Sequence, residues 1–422
     1  MAEPLFKAPK GTRDILPEEA RRRRLAVETF TDQAEMAGFG ELVSPIFEDI
    51  GVFKRLGEES DVVSKEMFDF FDKGDPPQHL ALRPELTASV CRAYVEHRPT
   101  PPWKVWYAGP QFRYEQPQAG RYRQFLQVGV ETLGTDDPQA DIDAIALASR
   151  FYASLGLRNI ELVINSMGDA SCRPAYLDAL TAYLHDHRAD LSEQSQVTLD
   201  RNPLRVLDSK RSADQAVIDA APAMVDYLNE ECGEHFASVR AGLDALGIDY
   251  SMSARLVRGF DYYTKTVFEF VGAAMGGAQN AVGGGGRYDG LVENLGGPAT
   301  PGIGFAIGVD RVLLACDAEG VFDAPATRVG VFVVDVTGGD AALSICDELR
   351  AAGVGADRAY GGRSMKAQMK VADRSGARFA AIVGEDELAA DSVTLRDLRG
   401  DGGQHLINRR DLAAHVADQL RD

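Results

Sequence analysis

The chain has 422 residues, with 45 Lys and Arg against 64 Asp and Glu, a formal charge of −19 at pH 7. That length implies two or three domains, and 45% hydrophobic with 26% charged residues is a globular balance, which excludes disordered, collagen-like and coiled-coil chains. The acidity excludes a generic nucleic-acid coat and a polybasic membrane binder, but it leaves room for local basic patches.

Cys91, Cys172, Cys232, Cys316 and Cys346 are scattered, odd in number and never in a CxxC pair, which opposes a disulfide framework and a zinc ribbon. The start MAEPLFKAPK has no apolar h-region, and the chain has no uninterrupted apolar run of membrane-spanning length. A soluble protein of a reducing cytoplasm is expected.

From Glu18 to Ala37 the apolar positions Val27, Phe30, Ala34 and Ala37 recur at helical spacing, and Gly38 follows as a stop. Short β-type runs come next: ELVSPIFE, EMFDFFDKGDPP and HLALRPE. LTASVCRAYVEH reads as a helix, and WKVWYAGPQFRYE with YRQFLQVGVETLG as an antiparallel pair around a polar loop. Runs of strands rather than alternating βαβ units predict an antiparallel sheet with helices packed on it, an α+β class. From about Pro138 to Met252 the chain reads as mostly helical and strongly acidic, with nine basic against 21 acidic residues between Gln124 and Ala254. Strands and glycine return with RLVRGFDYYTKTVFEF and GGGGRYDGL, followed by PGIGFAIGVDRVLLAC, where a Gly-rich strand runs into an apolar helix. Beyond the linker-like DAEGVFDAPAT, the segments RVGVFVVDV, GDAALSICDELRAAG and GARFAAIVGEDE alternate β and α, a separate α/β module.

Chemistry concentrates in FRYEQPQAGRYRQF, where Arg113, Glu115, Arg121 and Arg123 surround a loop with Pro117 and Gly120. Guanidinium forks on both sides of a turn suit a polyanion such as ATP phosphates, although a solvated hairpin with surface arginines gives the same pattern. Arg311 ends a glycine-lined strand where a helix begins, so backbone can approach a ligand that the arginine reaches. Gly302, Gly304 and Gly308 do not form a dinucleotide fingerprint, and the Gly283–Gly286 run lacks a P-loop ending and reads as a turn near the pocket. Arg258 and Asp261 beside Tyr262 and Tyr263 read as polar groups on a buried strand, costly unless used. His185 and His187 splay apart on a helix and do not read as metal ligands.

Taken together, these segments resemble class II aminoacyl-tRNA synthetases, specifically the histidyl-tRNA synthetase family. The resemblance runs nearly end to end: GTRDILPEE, LRPELTASV, motif 2 as FRYEQPQAGRYRQF, NPLRVLDSK, the histidine-specific RGFDYYTKTVFEF, GGRYDGL, and motif 3 as GIGFAIGVDR. Motif 1, the dimer element, would be the helix before Gly38 and the strand through Pro45. Leu86, Tyr114 and Phe260 depart from the usual residues without removing a named group.

The resemblance implies a class II antiparallel catalytic sheet of six strands over residues 1–325, a mostly helical insertion at about 170–252, and an anticodon-binding α/β domain over 328–422. It implies that Arg113 grips the α-phosphate, that Glu115, Arg121 and Arg311 hold a bent ATP, and that Phe125 stacks on adenine. Glu85, Thr87 and Gln127 would take the histidine α-amino group, while Glu131, Tyr263 and Tyr288 would line the imidazole pocket with Tyr262 alongside. Arg258 would approach the α-phosphate and substrate carboxylate, making Arg113, Arg258 and Gln127 the catalytic set. Mg²⁺ would bridge the leaving phosphates, with no side-chain metal ligand assigned. The implied partners are tRNA(His), L-histidine, ATP and a second copy of the chain, with no membrane.

The stretch Arg350–Arg378 carries seven basic and two acidic residues, and Arg363, Lys366, Lys370 and Arg374 share one helical face. That stripe suits tRNA phosphates or is a solvated helix face. The alternative function is the non-catalytic paralogue that serves as regulatory subunit of ATP phosphoribosyltransferase. Those proteins usually lack the C-terminal module and an intact RGxDYY segment, both of which stand in this sequence.

Overall fold

The computed structural model describes residues 5–56, 61–257, 262–275, 280–400 and 402–420. The chain divides into two compact units between Ala324 and Pro325.

In the first unit β1 (Gly40–Glu41) opens the main sheet, and β2 (Phe47–Asp49), β3 (Phe68–Phe71) and β4 (His79–Leu82) form a small separate one. The main sheet continues with β5 (Trp103–Phe112), β6 (Gln124–Leu133), β7 (Ile160–Ser166), β8 (Ser251–Met252), β9 (Thr264–Gly272), β10 (Ala281–Arg287) and β11 (Gly302–Gly308). Its spatial order is β1-β5-β6-β11-β10-β9-β7-β8. The six inner strands are antiparallel, and the two-residue strands β1 and β8 pair parallel at the edges. An eight-stranded sheet therefore contains the six-stranded core that the resemblance implied.

Strand alternation decides what each face does. Val128 and Val130 of β6, Phe268 and Phe270 of β9, and Ile303, Phe305 and Ile307 of β11 point to one side. There they pack under the helices Pro17–Met36, Pro138–Ser154, Glu230–Ala245 and Val309–Glu319, through residues such as Phe30, Ile145, Phe151, Val239 and Val312. Each large side chain buried there contributes roughly 1.5–3 kcal/mol. The opposite face carries Gln127 and Glu131 of β6 and the glycines of β11, with the helix Thr87–His97 over one end through Val90 and Tyr94.

Several expectations are corrected. The segment read as mostly helical also contributes β7, a sheet strand that the sequence pattern does not single out and whose Leu162 and Ile164 join the main core. Its helices Pro138–Ser154 and Glu230–Ala245 also pack on the main sheet, while Tyr176, Leu180, Leu184, Val206 and Ile218 form a core of their own. The Gly283–Gly286 run is the middle of β10, not a turn. A Cβ at Gly285 would overlap the Gly304 carbonyl, so only glycine lets these strands approach. Motif 1's strand ends at Glu41 rather than running through Pro45, because Leu42 makes the last pairing bond, to the Trp106 carbonyl, and Arg83 claims the Ser44 and Pro45 carbonyls instead. Tyr262 and Tyr263 precede β9 rather than lying within it, and Arg258, Phe260 and Asp261 lie outside the described residues.

In the second unit the strands β12 (Val331–Asp335), β13 (Ala356–Arg358), β14 (Phe379–Val383), β15 (Ser392–Asp397) and β16 (Gln404–Asn408) run in the order β13-β12-β14-β15-β16. β12 pairs parallel with β13 and β14, while β15 and β16 add an antiparallel edge. The helix Asp340–Ala351 packs on one face through Ile345 and Leu349, and Gly353, at φ 80°, follows where it stops. The helix Met365–Arg374 covers the other face through Ala372. Lys366, Lys370 and Arg374 are exposed on that helix, whereas Arg363 lies ahead of its N-cap, Ser364, so the four-residue stripe is three helical cations with one before them.

Candidate active site

A cleft of about 500 Å³ opens on the face of the main sheet away from the large core. Its floor is short of side chains because Gly283, Gly284, Gly304 and Gly308 line it, and the remaining groups divide it into two ends.

At one end Arg113, Glu115, Arg121, Phe125 and Arg311 come together. Arg113 donates from Nε to the Pro84 carbonyl at 2.8 Å, and its guanidinium lies 5.4 Å from the Phe125 ring centroid. Glu115 stands between two arginines, 3.9 Å from Arg113 and 3.2 Å from Arg121. Burial, and then the charge of Arg121, lower the pKa of Arg311, whose Nε donates to the Ala281 carbonyl. Three guanidiniums gathered with one carboxylate between them form an anion cradle.

The other end is built for a cationic donor. Both carboxylate oxygens of Glu85 accept backbone N–H bonds, from Thr87 and Ala88 at 2.8 Å each, so the carboxylate caps the helix Thr87–His97. Burial pushes its pKa up, and those N–H groups and Arg113 oppose the rise. Gln127 Oε1 is buried on the cleft wall without a hydrogen-bond partner among the described residues. Tyr262, Tyr263 and Tyr288 pack around the end, Tyr262 tilted against Tyr263 with centroids 4.5 Å apart and edge-to-face with Tyr288 at 5.9 Å.

Glu131 lies behind this wall, fully buried. Thr87 Oγ1 donates to its Oε1 at 2.7 Å, Tyr107 OH donates to the same oxygen at 3.2 Å, and Tyr288 OH donates to Oε2. Burial, the largest influence, pushes its carboxyl up to about 8, with the three hydroxyls pulling the other way. When ionised, the carboxylate fixes the protons of Thr87 and Tyr288 on itself and leaves their lone pairs to face other donors.

Among the sequence-assigned residues described, Glu85, Thr87, Arg113, Glu115, Arg121, Phe125, Gln127, Tyr262, Tyr263, Tyr288 and Arg311 line one cleft, and Glu131 is one bond behind it. Sequence reasoning missed Tyr107, the cleft carboxylate Glu269, and Asp208 with Lys210, although the last two sit in the quoted NPLRVLDSK. It also missed a buried ion pair beside the pocket: Arg287, next to Tyr288, bonds to Asp141 and to the carbonyls of Thr135 and Asp137. With every group partnered and none exposed, breaking that pair costs more than it contributes when intact.

A family model described as histidyl-tRNA synthetase matches residues 11–312, and one described as an anticodon binding domain matches residues 329–419. The chain is 50% identical to the histidine–tRNA ligase of Rhodococcus erythropolis over 400 residues, 93% of each chain. It is 47% identical to that of Corynebacterium efficiens over 409 residues, 95% of this chain and 94% of the relative. The crystal structure of an apo S. aureus histidyl-tRNA synthetase matches with a TM-score of 0.81 at 36% identity, covering 98% of this chain and 100% of that one. Full-length likeness at this level, with a family model spanning most of the chain, means that the chain belongs to the histidyl-tRNA synthetase family, which are aminoacyl-tRNA ligases.

Proposed function

We propose that the chain activates L-histidine with ATP, releasing pyrophosphate, and then transfers the histidyl group to the 3′ end of tRNA(His). The observation that carries this reading is the single cleft that joins an arginine cradle to an acceptor-rich end. Arg113, Arg121 and Arg311 bind the ATP phosphates, Glu115 spaces the first two, and Phe125 takes the adenine. Glu85, Thr87 and Gln127 accept from the substrate ammonium, which is a donor only. Tyr263 and Tyr288, with Tyr262 beside them and Glu131 acting through its bonds to Thr87 and Tyr288, read the imidazole, so a side chain lacking its N–H leaves buried acceptors unpaired.

In the first step the histidine carboxylate attacks the α-phosphorus in line while Arg113 neutralises charge that grows on the phosphoryl oxygens. In the second, a terminal ribose hydroxyl attacks the acyl carbon of the mixed anhydride and loses its proton as the bond to the phosphate breaks and AMP leaves, and no Ser, Cys or His nucleophile of the protein is needed. Mg²⁺ favours oxygen donors, and Glu269, a cleft carboxylate whose charge acts on Arg311, fits it as a partial ligand alongside phosphate and water. When bound it would offset charge on the departing pyrophosphate.

A homodimer in the cytoplasm completes the reading. Val43 is 81% exposed, with Ile46 and Phe47 just beyond it also open, apolar side chains at the motif 1 end that a second copy would cover. Among the described residues no helix is long and apolar enough to cross a membrane. The regulatory-subunit alternative gains nothing from the full-length relatives, which are named histidine–tRNA ligases, or from the anticodon-domain match. Histidine-dependent exchange of pyrophosphate into ATP is the test. No exchange sinks the enzyme reading, and exchange with a different amino acid sinks the specificity.

A further inference from the structure

The GTRD segment near the start of the chain has no part in the scheme above, yet its arginine reaches both arms of the phosphate cradle. Arg13 Nη2 donates to Asp310 Oδ1 at 3.2 Å, and the Arg13 guanidinium stacks 4.8 Å from the Tyr122 ring centroid. Asp310 immediately precedes Arg311, and Tyr122 immediately follows Arg121. A two-pronged pairing with Glu19 fixes the guanidinium from behind. Arg23 adds a second cation on the same nearly buried Asp310 carboxylate, at 3.1 Å. The neighbouring backbone is locked to the same loop: the Gly11 carbonyl accepts the Arg123 N–H at 2.7 Å. Gly11 has φ +84°, and a Cβ there would crowd Arg123 Cγ and Cδ.

We propose that Arg13 is a positioning residue that sets the spacing between Arg121 and Arg311 so that both converge on one polyanion. The inference rests on the assignment of those two arginines to the ATP phosphates. They carry like charges in one cleft and repel; Glu115 pairs with Arg121 and the Ala281 carbonyl holds Arg311, but neither of these contacts ties the loop of Arg121 to the helix of Arg311, so a group that links their neighbours limits how far apart the two stand before ATP arrives. Without it, drawing them together has to come out of binding energy. Arg13 meets that need because one rigid planar fork spans the loop on one side and the helix Val309–Glu319 on the other. Gly120 shows how close these two elements lie, since a Cβ there would press on Leu314 of that helix.

The test compares Arg13→Ala, Arg13→Lys and Arg311→Ala in histidine-dependent ATP–pyrophosphate exchange, with thermal melting alongside. Arg13→Ala is expected to raise KM for ATP about tenfold while KM for histidine stays within about twofold, with Arg13→Lys intermediate because it keeps the charge on Asp310 but loses the fork. Arg311→Ala is expected to raise KM for ATP at least as much. An unchanged KM for ATP in Arg13→Ala, with Arg311→Ala affected, overturns the positioning role alone. Equal rises in both KM values together with a lower melting temperature overturn it in favour of a purely structural staple. An unaffected Arg311→Ala overturns the phosphate assignment and the inference with it.

Discussion

Glu131 of β6 and Gly304 of β11 are direct partners across an antiparallel pair, and the missing side chain of Gly304 is what gives the Glu131 carboxylate its place. A Cβ on Gly304 would overlap Oε2 of Glu131, the oxygen that Tyr288 binds. The glycine of motif 3 therefore serves a carboxylate on the strand that leads out of motif 2.

Gly304→Ala should accordingly behave as an overpacked core substitution. It meets the Val130 carbonyl as well as Glu131, neither of which can swing away. Destabilisation of roughly 1–3 kcal/mol is expected, together with a raised KM for histidine. Thermal melting and exchange kinetics check it, and a variant with unchanged melting and unchanged KM would contradict the packing argument.

Glu131 also predicts a pH dependence of stability. Its folded-state pKa, about 8, lies above its ordinary value of 4.5. Between those values the folded state binds more protons than the unfolded one, so this group's contribution is fully present below about 4.5 and is lost as pH rises through about 8. Glu131→Gln removes the titration. The variant's melting temperature relative to the parent should therefore rise across that window, by the equivalent of up to about 1.4 kcal/mol per pH unit, and level off above it. Parallel melting curves from pH 5 to 9 would show that the carboxyl is not perturbed in this way.

Tyr107→Phe takes one of three hydroxyl donors from Glu131 and leaves the ring in place. The lost donor favoured the carboxylate form, so the Glu131 pKa should climb further. The expected result is a KM for histidine up to about tenfold higher with KM for ATP unchanged, the upper size of one net hydrogen bond between neutral groups. In a Glu131→Gln background the same change should add little, and a fully additive double variant would place Tyr107's effect elsewhere.

How much of this was legible in the sequence depended on whether the signal was local. The β5–β6 pair and the helix Pro17–Met36 carry their own periodicity and turn residues, and both stand where the pattern put them. β10 does not, because a run of glycines has no side chains to alternate, and its strand identity comes from the neighbours that need it thin. β7 was hidden because a short strand sits between long helical stretches. In the site, the arginines of motifs 2 and 3 advertise themselves. The Arg13–Asp310 and Arg287–Asp141 pairs join residues 297 and 146 positions apart, and no local pattern encodes a partner at that distance.

Gln127 offers a separation of function from stability. Its Oε1 is desolvated on the cleft wall with no partner among the described residues, so the fold gains nothing from that atom. Gln127→Leu should leave stability within about 1 kcal/mol of the parent or raise it, because a buried unpaired polar atom is a cost. Under the proposed assignment the same change deprives the substrate ammonium of an acceptor and should raise KM for histidine at least about tenfold. A variant that melts much lower while binding histidine normally would mean that Gln127 is structural.

The second unit makes an electrostatic prediction that is independent of the cleft. Lys366, Lys370 and Arg374 are exposed on one helix of the anticodon-binding module, while Arg363 stands just ahead of it. If these cations contact tRNA phosphates, each released counterion steepens the dependence of affinity on salt. Replacing Lys366, Lys370 and Arg374 with alanine should flatten the log–log salt slope by about 0.7–0.9 for each phosphate that is no longer neutralised, and it should weaken tRNA binding most strongly at low salt. Histidine-dependent pyrophosphate exchange requires no tRNA in the proposed first step and should be unchanged. An Arg363→Ala variant, tested beside the triple variant, separates the helix from the residue before it. A triple variant with the parent's slope would mean that the stripe is a solvated face, and the phosphate contacts would then have to be sought on another surface of the module.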